Sequence, residues 1–240
     1  MPDARPVART SSTYKLRRRS MAPAREQRFL TWLDRWGLDE SGPPLDWATV
    51  FDGNTDAPEV APGIGVVLDI GFGHGESVLD LARRSPSVGI VGIEVHTPGV
   101  ATVLDAVEQE GLTNVRVVFG DGLRFLDRVP AASLAEVRVF FPDPWPKPRQ
   151  HHRRLVAADT IAAFTDRLRA GGTLAMATDV ADYAEAMQAA ADHEPRLTGG
   201  PIDRSLDPTI GRPTDRPITR FEQRGIDEGR RATDLRYARH

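Results

Sequence analysis

Apolar and polar positions divide the chain into a patterned part that starts near Val66 and an upstream part that is mostly unpatterned. Five short apolar runs recur: VVLDI (66–70), IVGIEV (90–95), NVRVVFG (114–120), SLAEVRVFF (133–141) and TLAMATD (173–179). Their length and β-branched content predict buried strands. Between and after them stand ESVLDLARRS, TPGVATVLDAVEQEG closed by Gly111, HRRLVAADTIAAFTDRLRAGG (152–172) with its glycine stop, and VADYAEAMQAAADH. Each has helical spacing. Such alternation predicts an α/β fold, a mostly parallel sheet with helices on both faces.

Upstream, Phe29, Leu30, Leu33 and Trp36 share one face of a helix over 21–36. Residues 37–65 are rich in Gly, Pro, Asp and Asn and predict a surface wrap with at most one short strand, near 48–51. The polar stretch 195–240 is expected to return as strands near 196–199 and 232–238. Residues 1–20 are basic and aperiodic, and read as a flexible arm. The expected organisation is that arm plus a single domain over 21–240, divided into helix and loop (21–65), core (66–194) and C-terminal part (195–240).

Composition narrows the function. Of 240 residues, 40% are hydrophobic, enough for a sizeable core and too many for a disordered chain. The absence of cysteine excludes disulfides and thiolate metal sites. No apolar run approaches the roughly 18 residues needed to cross a bilayer. The opening MPDARPVARTSSTYKLRRRS lacks the apolar core of a secretory signal. It shares Arg and Ser richness with organellar transit peptides, and a cytoplasmic location is the default reading.

A net charge of −3 argues against a nucleic-acid partner, but the distribution argues for one. Residues 9–28 carry seven Arg or Lys against one acid, whereas 31–70 carry eight acids against one base. Positive charge returns at Lys147–Arg154 and again from Arg212. Solvated faces and a loose tail would account for this; so would a local polyanion-binding face.

DIGFGHG (69–75) follows a predicted strand and opens a predicted helix. Gly71, Gly73 and Gly75 give G-x-G-x-G, whereas a dinucleotide fingerprint needs G-x-G-x-x-G. Glu76 stands at the last fingerprint position, a poor neighbour for a pyrophosphate. The acid Asp69 suits a cofactor carrying an amino group and positive charge, which favours S-adenosylmethionine over NAD. Glu94, at the end of the second strand, is suited to the two ribose hydroxyls of a nucleoside. Asp121, after the third, is suited to an adenine amine. Open sheets bind ligands at the carboxyl ends of successive strands.

In FFPDPWPKPRQHHRR (140–154) prolines hold Asp143 between aromatics and positive charge. Trp145 either packs the turn or stacks on a base. Lys147, Arg149, Arg153 and Arg154 either begin a solvated helix or seat phosphates, since cations at a helix N-terminus oppose its dipole. His151 and His152 read as solvated groups or phosphate neighbours, not metal ligands. Asp179, ending the fifth strand, either forms an acidic pair with Asp143 for base recognition or caps the next helix.

At these blocks the chain resembles the tRNA (guanine-N7-)-methyltransferases of the bacterial TrmB type. The likeness runs from about Tyr14 onward and is carried by DIGFGHG, GIEVHTPGV (92–100), FFPDPWPK (140–147), HRR (152–154), ATD (177–179) and RPITRFEQRG (216–225). It implies a Rossmann-like class I methyltransferase fold with a seven-stranded sheet. It also implies methyl transfer from S-adenosyl-L-methionine, without metal, to N7 of the guanine at position 46 in the tRNA variable loop. The core is then the cofactor-binding part and 195–240 the substrate-binding part. By motif matching, Asp69, Glu94, Asp121 and Asp143 fall on cofactor-site positions, and Asp143 on the active-site acid. Lys147, Asp179, Thr219, Arg220, Phe221 and Glu222 fall on substrate positions. Arg17, Arg18, Arg19, Arg149, Arg153 and Arg154 are candidates for RNA backbone contacts. Asp69 replaces the family's commoner Glu, and Arg220 its frequent Lys.

Methylating N7 needs no prior proton removal, and the product ring is cationic. Asp143 is therefore expected to orient and to neutralise rather than to act as an obligatory base; it is also suited to hold the N1–H and N2–H edge. The competing readings are a small-molecule or protein methyltransferase and a non-catalytic RNA-binding subunit. The first has no use for three basic clusters, and the second would tolerate loss of a cofactor acid. Monomer and homodimer remain open.

Overall fold

The computed structural model describes residues 21–51, 65–202 and 216–240. The basic arm 1–20, with Arg17, Arg18 and Arg19, lies outside the described residues. The five apolar runs form parallel strands: β1 (Val66–Ile70), β2 (Gly89–Glu94), β3 (Val115–Phe119), β4 (Leu134–Phe140) and β5 (Leu168–Thr178). β6 (Leu197–Pro201) and β7 (Thr233–Arg239) complete a seven-stranded sheet in the order β3-β2-β1-β4-β5-β7-β6, and both contacts of β7 are antiparallel. The direction of winding reverses between β1 and β4, where an open sheet leaves a crevice at its carboxyl edge.

Helices α1 (Pro23–Trp36), α3 (Glu76–Arg84) and α4 (Thr97–Glu110) cover one face of the β1–β3 half, burying Phe29, Trp36, Val78, Leu104 and Val107. The other face is packed by α5 (Gly122–Phe125), α6 (Ala158–Arg167) and α7 (Ala181–Asp192), through Phe125, Phe164, Tyr183 and Met187. Alternation along β1 sends Leu68 and Ile70 to the second core and Val67 to the first. On the α3 side, a ladder of charge crosses the central strands. Asp69 stands in register with Arg138, Arg138 meets Glu136 at 3.0 Å, and Glu136 lies 3.8 Å from Arg236.

Four expectations need correction. Leu30 is 57% exposed, because the buried stripe of α1 runs through Phe29, Leu33 and Trp36. The strand expected at 48–51 is a helical turn, α2 (Trp47–Phe51), whose start is held by Asp46 through Ala48 N–H at 3.2 Å and Thr49 Oγ1 at 2.8 Å. The long helix expected over 152–172 is divided. A 3-10 turn covers Pro148–Arg153, and α6 begins where Thr160 Oγ1 accepts from the Ala157 N–H at 2.9 Å. Arg169–Gly172 belongs to the irregular start of β5, with Gly171 at φ +73°. Finally, the sequence RFEQRGID forms a helix, α8 (Arg220–Asp227), where none was expected.

Candidate active site at the carboxyl edge of the sheet

The glycine turn lies between β1 and α3. Gly71 donates to the Ile93 carbonyl at 2.8 Å, and Gly73 donates to Glu94 Oε2 at 2.8 Å. Glu94 Oε1 accepts from the N–H groups of Val95 and His96 at 2.7 and 2.9 Å. This carboxylate is thus fixed by three backbone donors, which leave one acceptor site on Oε2. Gly75 takes φ +85°, and a Cβ there would strike Val103 of α4. At Gly71 and Gly73, by contrast, a Cβ would meet nothing within 4 Å. Their bare backbone opens a cradle that any side chain would fill.

Asp121 follows β3 and caps α5, its Oδ1 accepting from Leu123 N–H at 2.9 Å. Its own N–H donates to Glu40 Oε2 at 2.7 Å, and Glu40 also holds Arg124 at 3.0 Å. The cleft at this edge holds about 340 Å³ and is lined by Gly71, Gly73, Glu94, Asp121, Asp143 and Phe221, among others. A wider groove of about 580 Å³ runs along α1 past Leu30, Asp34 and Glu40. It has no glycine cradle and no convergent acids from successive strands, so the edge cleft is the better site. Two fixed acids beside open backbone suit a nucleoside carrying hydroxyls, an amine and a positive charge. S-adenosylmethionine has those groups.

Asp69 does not line this cleft. It is 2% exposed, on the α3 side of β1, and its Oδ2 has no hydrogen-bond partner among the described residues. Burial pushes its carboxyl up to about 6, against the downward pull of Arg138 and the neighbouring Ser77 hydroxyl. It stands behind the turn, not in front of it.

Beyond β4 the backbone is forced. Phe141 takes φ +51° and Trp145 φ +43°, the left-handed region that costs a bulky residue on the order of 1–3 kcal/mol. Four contacts hold the loop in this form. The Phe141 N–H donates to the Ala177 carbonyl at 2.7 Å, and Arg216 lies 5.3 Å over the Phe141 ring. Arg153 lies 3.6 Å over the Trp145 ring, and Arg154 Nε donates to the Pro144 carbonyl at 2.9 Å. Asp143, itself exposed, sits on the rim between these clamps. Lys147 and Arg149 are exposed beside it. Arg154, unlike them, is buried and bonded to Asp182 at 2.6 Å, so its cation is held within the protein.

The C-terminal block is wired to the same rim. Thr219 caps α8, its Oγ1 accepting from Glu222 N–H at 3.1 Å. Arg220 reaches Glu76 at the start of α3, through its backbone N–H at 3.0 Å and its Nε at 3.3 Å. Phe221 is 49% exposed and its ring meets that of Phe141 at 5.4 Å, forming a wall of the cleft. Glu222 is buried and pairs with Arg216 at 2.5 Å, which also holds Asp234 of β7 at 2.7 Å. Asp179 caps no helix: its Oδ2 accepts from Arg230 Nε at 2.7 Å. Thr219 followed by Glu222 is a cap signal that could have announced α8. Arg216, Arg230 and Glu40 carry no local signal of their partners.

A family model described as "Putative methyltransferase" matches residues 65–235. The tRNA (guanine-N(7)-)-methyltransferase of Streptomyces avermitilis is 39% identical over 249 residues, covering 99% of this chain and 81% of its own length. That of Photobacterium profundum is 40% identical over 85% of this chain and 78% of its own. That of Nitrosomonas europaea is 36% identical over 95% and 96%. Among solved structures, the 16S rRNA methyltransferase KamB aligns with a TM-score of 0.52 at 14% identity, over 73% of this chain and 88% of its own. An antibiotic-related methyltransferase gives 0.51 at 16%, over 84% and 97%. At such identities the likeness concerns architecture, and the architecture is the Rossmann-like class I methyltransferase fold.

Proposed function

The chain belongs to the tRNA (guanine-N(7)-)-methyltransferase family, and from that premise we propose that it transfers a methyl group from S-adenosyl-L-methionine to N7 of a guanine in tRNA, at position 46 of the variable loop. The observation that carries the reading is the cleft itself. Glycine backbone and two nucleoside-binding acids form its floor, and a rigid rim presents a third acid, Asp143, beside aromatic rings.

The cofactor supplies a methyl group on a sulfonium, already a strong leaving group. Gly71 and Gly73 admit it to the backbone. Glu94 would accept from a ribose hydroxyl through Oε2, and Asp121 from the adenine amine. Asp69 supports the turn from behind. Asp143 neutralises the positive charge that grows on the guanine ring, and Phe141, Trp145 and Phe221 exclude water and flank the base. No group needs to remove a proton, since the N7 lone pair is already free. Catalysis is alignment plus electrostatics.

Lys147, Arg149, Arg220 and the basic arm 1–20 seat tRNA phosphates, and Arg153 joins them from its stack on Trp145. Asp179 and Asp143 form the acidic pair that reads the base. Thr219 and Glu222 serve by holding α8 in position, not by touching RNA. The cytoplasm is the compartment we assign. Incubating the protein with methyl-labelled S-adenosylmethionine and unmodified tRNA, then mapping the label, tests the reading. Label on N7 of a variable-loop guanine is expected; label elsewhere, or none, overturns it.

A further inference from the structure

Asp179 directly follows β5 with its side chain 12% exposed, and the guanidinium that holds it comes from outside every sequence block that carries the family likeness. Arg230 stands in the turn between α8 and β7. Its Nε donates to Asp179 Oδ2 at 2.7 Å, and it pairs as well with Glu228. Gly225 of α8 covers this contact. A Cβ there would sit 3.4 Å from Asp179 Oδ2 and 3.5 Å from Arg230 Nε and Nη2. Those are ordinary packing distances, so the pair lies directly against α8, one turn beyond Phe221, whose ring forms the cleft wall with Phe141.

The terminal torsion of an unheld aspartate is broad and two-fold. One guanidinium bond to Oδ2 fixes that torsion, and it leaves Oδ1 and a lone pair of Oδ2 for two further donors. Guanine offers two such donors side by side, N1–H and N2–H, on the edge away from N7. Adenine offers an unprotonated N1 there, which would face the carboxylate lone pair to lone pair.

We propose that Arg230 is a specificity-determining positioning residue, fixing Asp179 as a two-point acceptor for the N1–H and N2–H edge of the guanine. The inference rests on the methyl-transfer reading and extends it to base selection. Arg230 itself is 41% exposed, so its replacement leaves the core intact.

The test is single-turnover methyl transfer to two tRNAs that differ only in guanosine or inosine at the mapped target. Inosine keeps N7 and N1–H but lacks the N2 amine. The wild-type protein is expected to prefer guanosine by about tenfold or more in kcat/KM. Arg230→Ala is expected to bring that ratio within about twofold, chiefly by raising KM for the guanosine tRNA, with Tm and cofactor Kd unchanged. Arg230→Lys, which supplies charge without a planar fork, should restore part of the preference. No guanosine preference in the wild type, a preference that survives Arg230→Ala, or a KM lowered by that change overturns the proposal. If the wild type leaves guanosine N7 unmethylated, the methyl-transfer reading itself fails first, so the two failures are distinguishable.

Discussion

Arg154 reaches back ten residues to give its Nε to the Pro144 carbonyl at 2.9 Å, holding the loop that carries Asp143 from inside the protein. The same guanidinium binds Asp182 at 2.6 Å and lies 4.6 Å over the Tyr183 ring. Arg154→Met is therefore expected to lower stability by about 1–3 kcal/mol and the methyl-transfer rate by about 10²-fold, because a displaced rim loses alignment. Cofactor affinity should hold. Urea unfolding, rapid quench and calorimetric titration read the three quantities separately.

Asp143→Asn keeps the shape of the rim acid and removes its charge. The rate should fall by roughly 10- to 10³-fold and remain measurable, because N7 needs no base. For the wild type, the pH–rate profile should be flat from about pH 6 to 9. A rate that climbs tenfold per pH unit across that range would mean that a proton is being removed in the reaction.

Asp69 gives a pH dependence of stability. Its carboxyl is raised from 3.8 to about 6 in the fold, chiefly by burial, so the folded protein keeps a proton that the unfolded chain has lost. Stability should then fall as pH rises from about 4 to about 6 and level off above, by on the order of 2–3 kcal/mol. Asp69→Asn should flatten that fall, gaining on the wild type at neutral pH and not in acid. Equal slopes in the two proteins would contradict the assignment.

Arg216 joins α8 to β7 through Glu222 and Asp234, both 3% exposed. Arg216→Met leaves two buried carboxylates without their shared cation, and about 3–5 kcal/mol of stability should go with it. With α8 loosened, KM for tRNA should rise by about tenfold while cofactor Kd stays within about twofold, as filter binding and titration would record.

Deleting residues 1–20 should raise KM for tRNA and make its salt dependence shallower, since fewer phosphates are neutralised. Cofactor affinity should not change. If tRNA binding at several salt concentrations is the same with and without the arm, the arm plays no part in docking.

The strands that lead to Glu94, Asp121, Asp143 and Asp179 are legible because each is a short apolar run with an acid or glycine at or just beyond its carboxyl end. Periodicity records burial on one element at a time. It cannot record which cation meets which acid. Arg230 and Asp179 are 51 residues apart, and Arg154 and Asp182 are 28 apart, so neither pair leaves a local trace. The placement of Asp69 has a related cause. Its position at the head of the glycine turn suggested a cleft residue, but alternation along β1 turns it toward α3. The helix at 48–51 and the break within 152–172 were decided by single side-chain caps, Asp46 and Thr160, against short apolar runs that suit either helix or strand.

The order of the sheet also sets an order of assembly. β6 is made before β7, yet its neighbour in the sheet is β7, which lies between it and β5. As the chain emerges, β6 must wait, its edge unpaired, until the later strand slots in beside β5. α8 lies on the connection between them and is tied by Arg216 to Asp234 of that same strand. The wall that Phe221 gives the cleft therefore cannot mature ahead of the sheet. A nascent chain long enough to have built the cradle of Gly71 and Gly73 still lacks that wall, and the cleft is completed in the same step as the sheet.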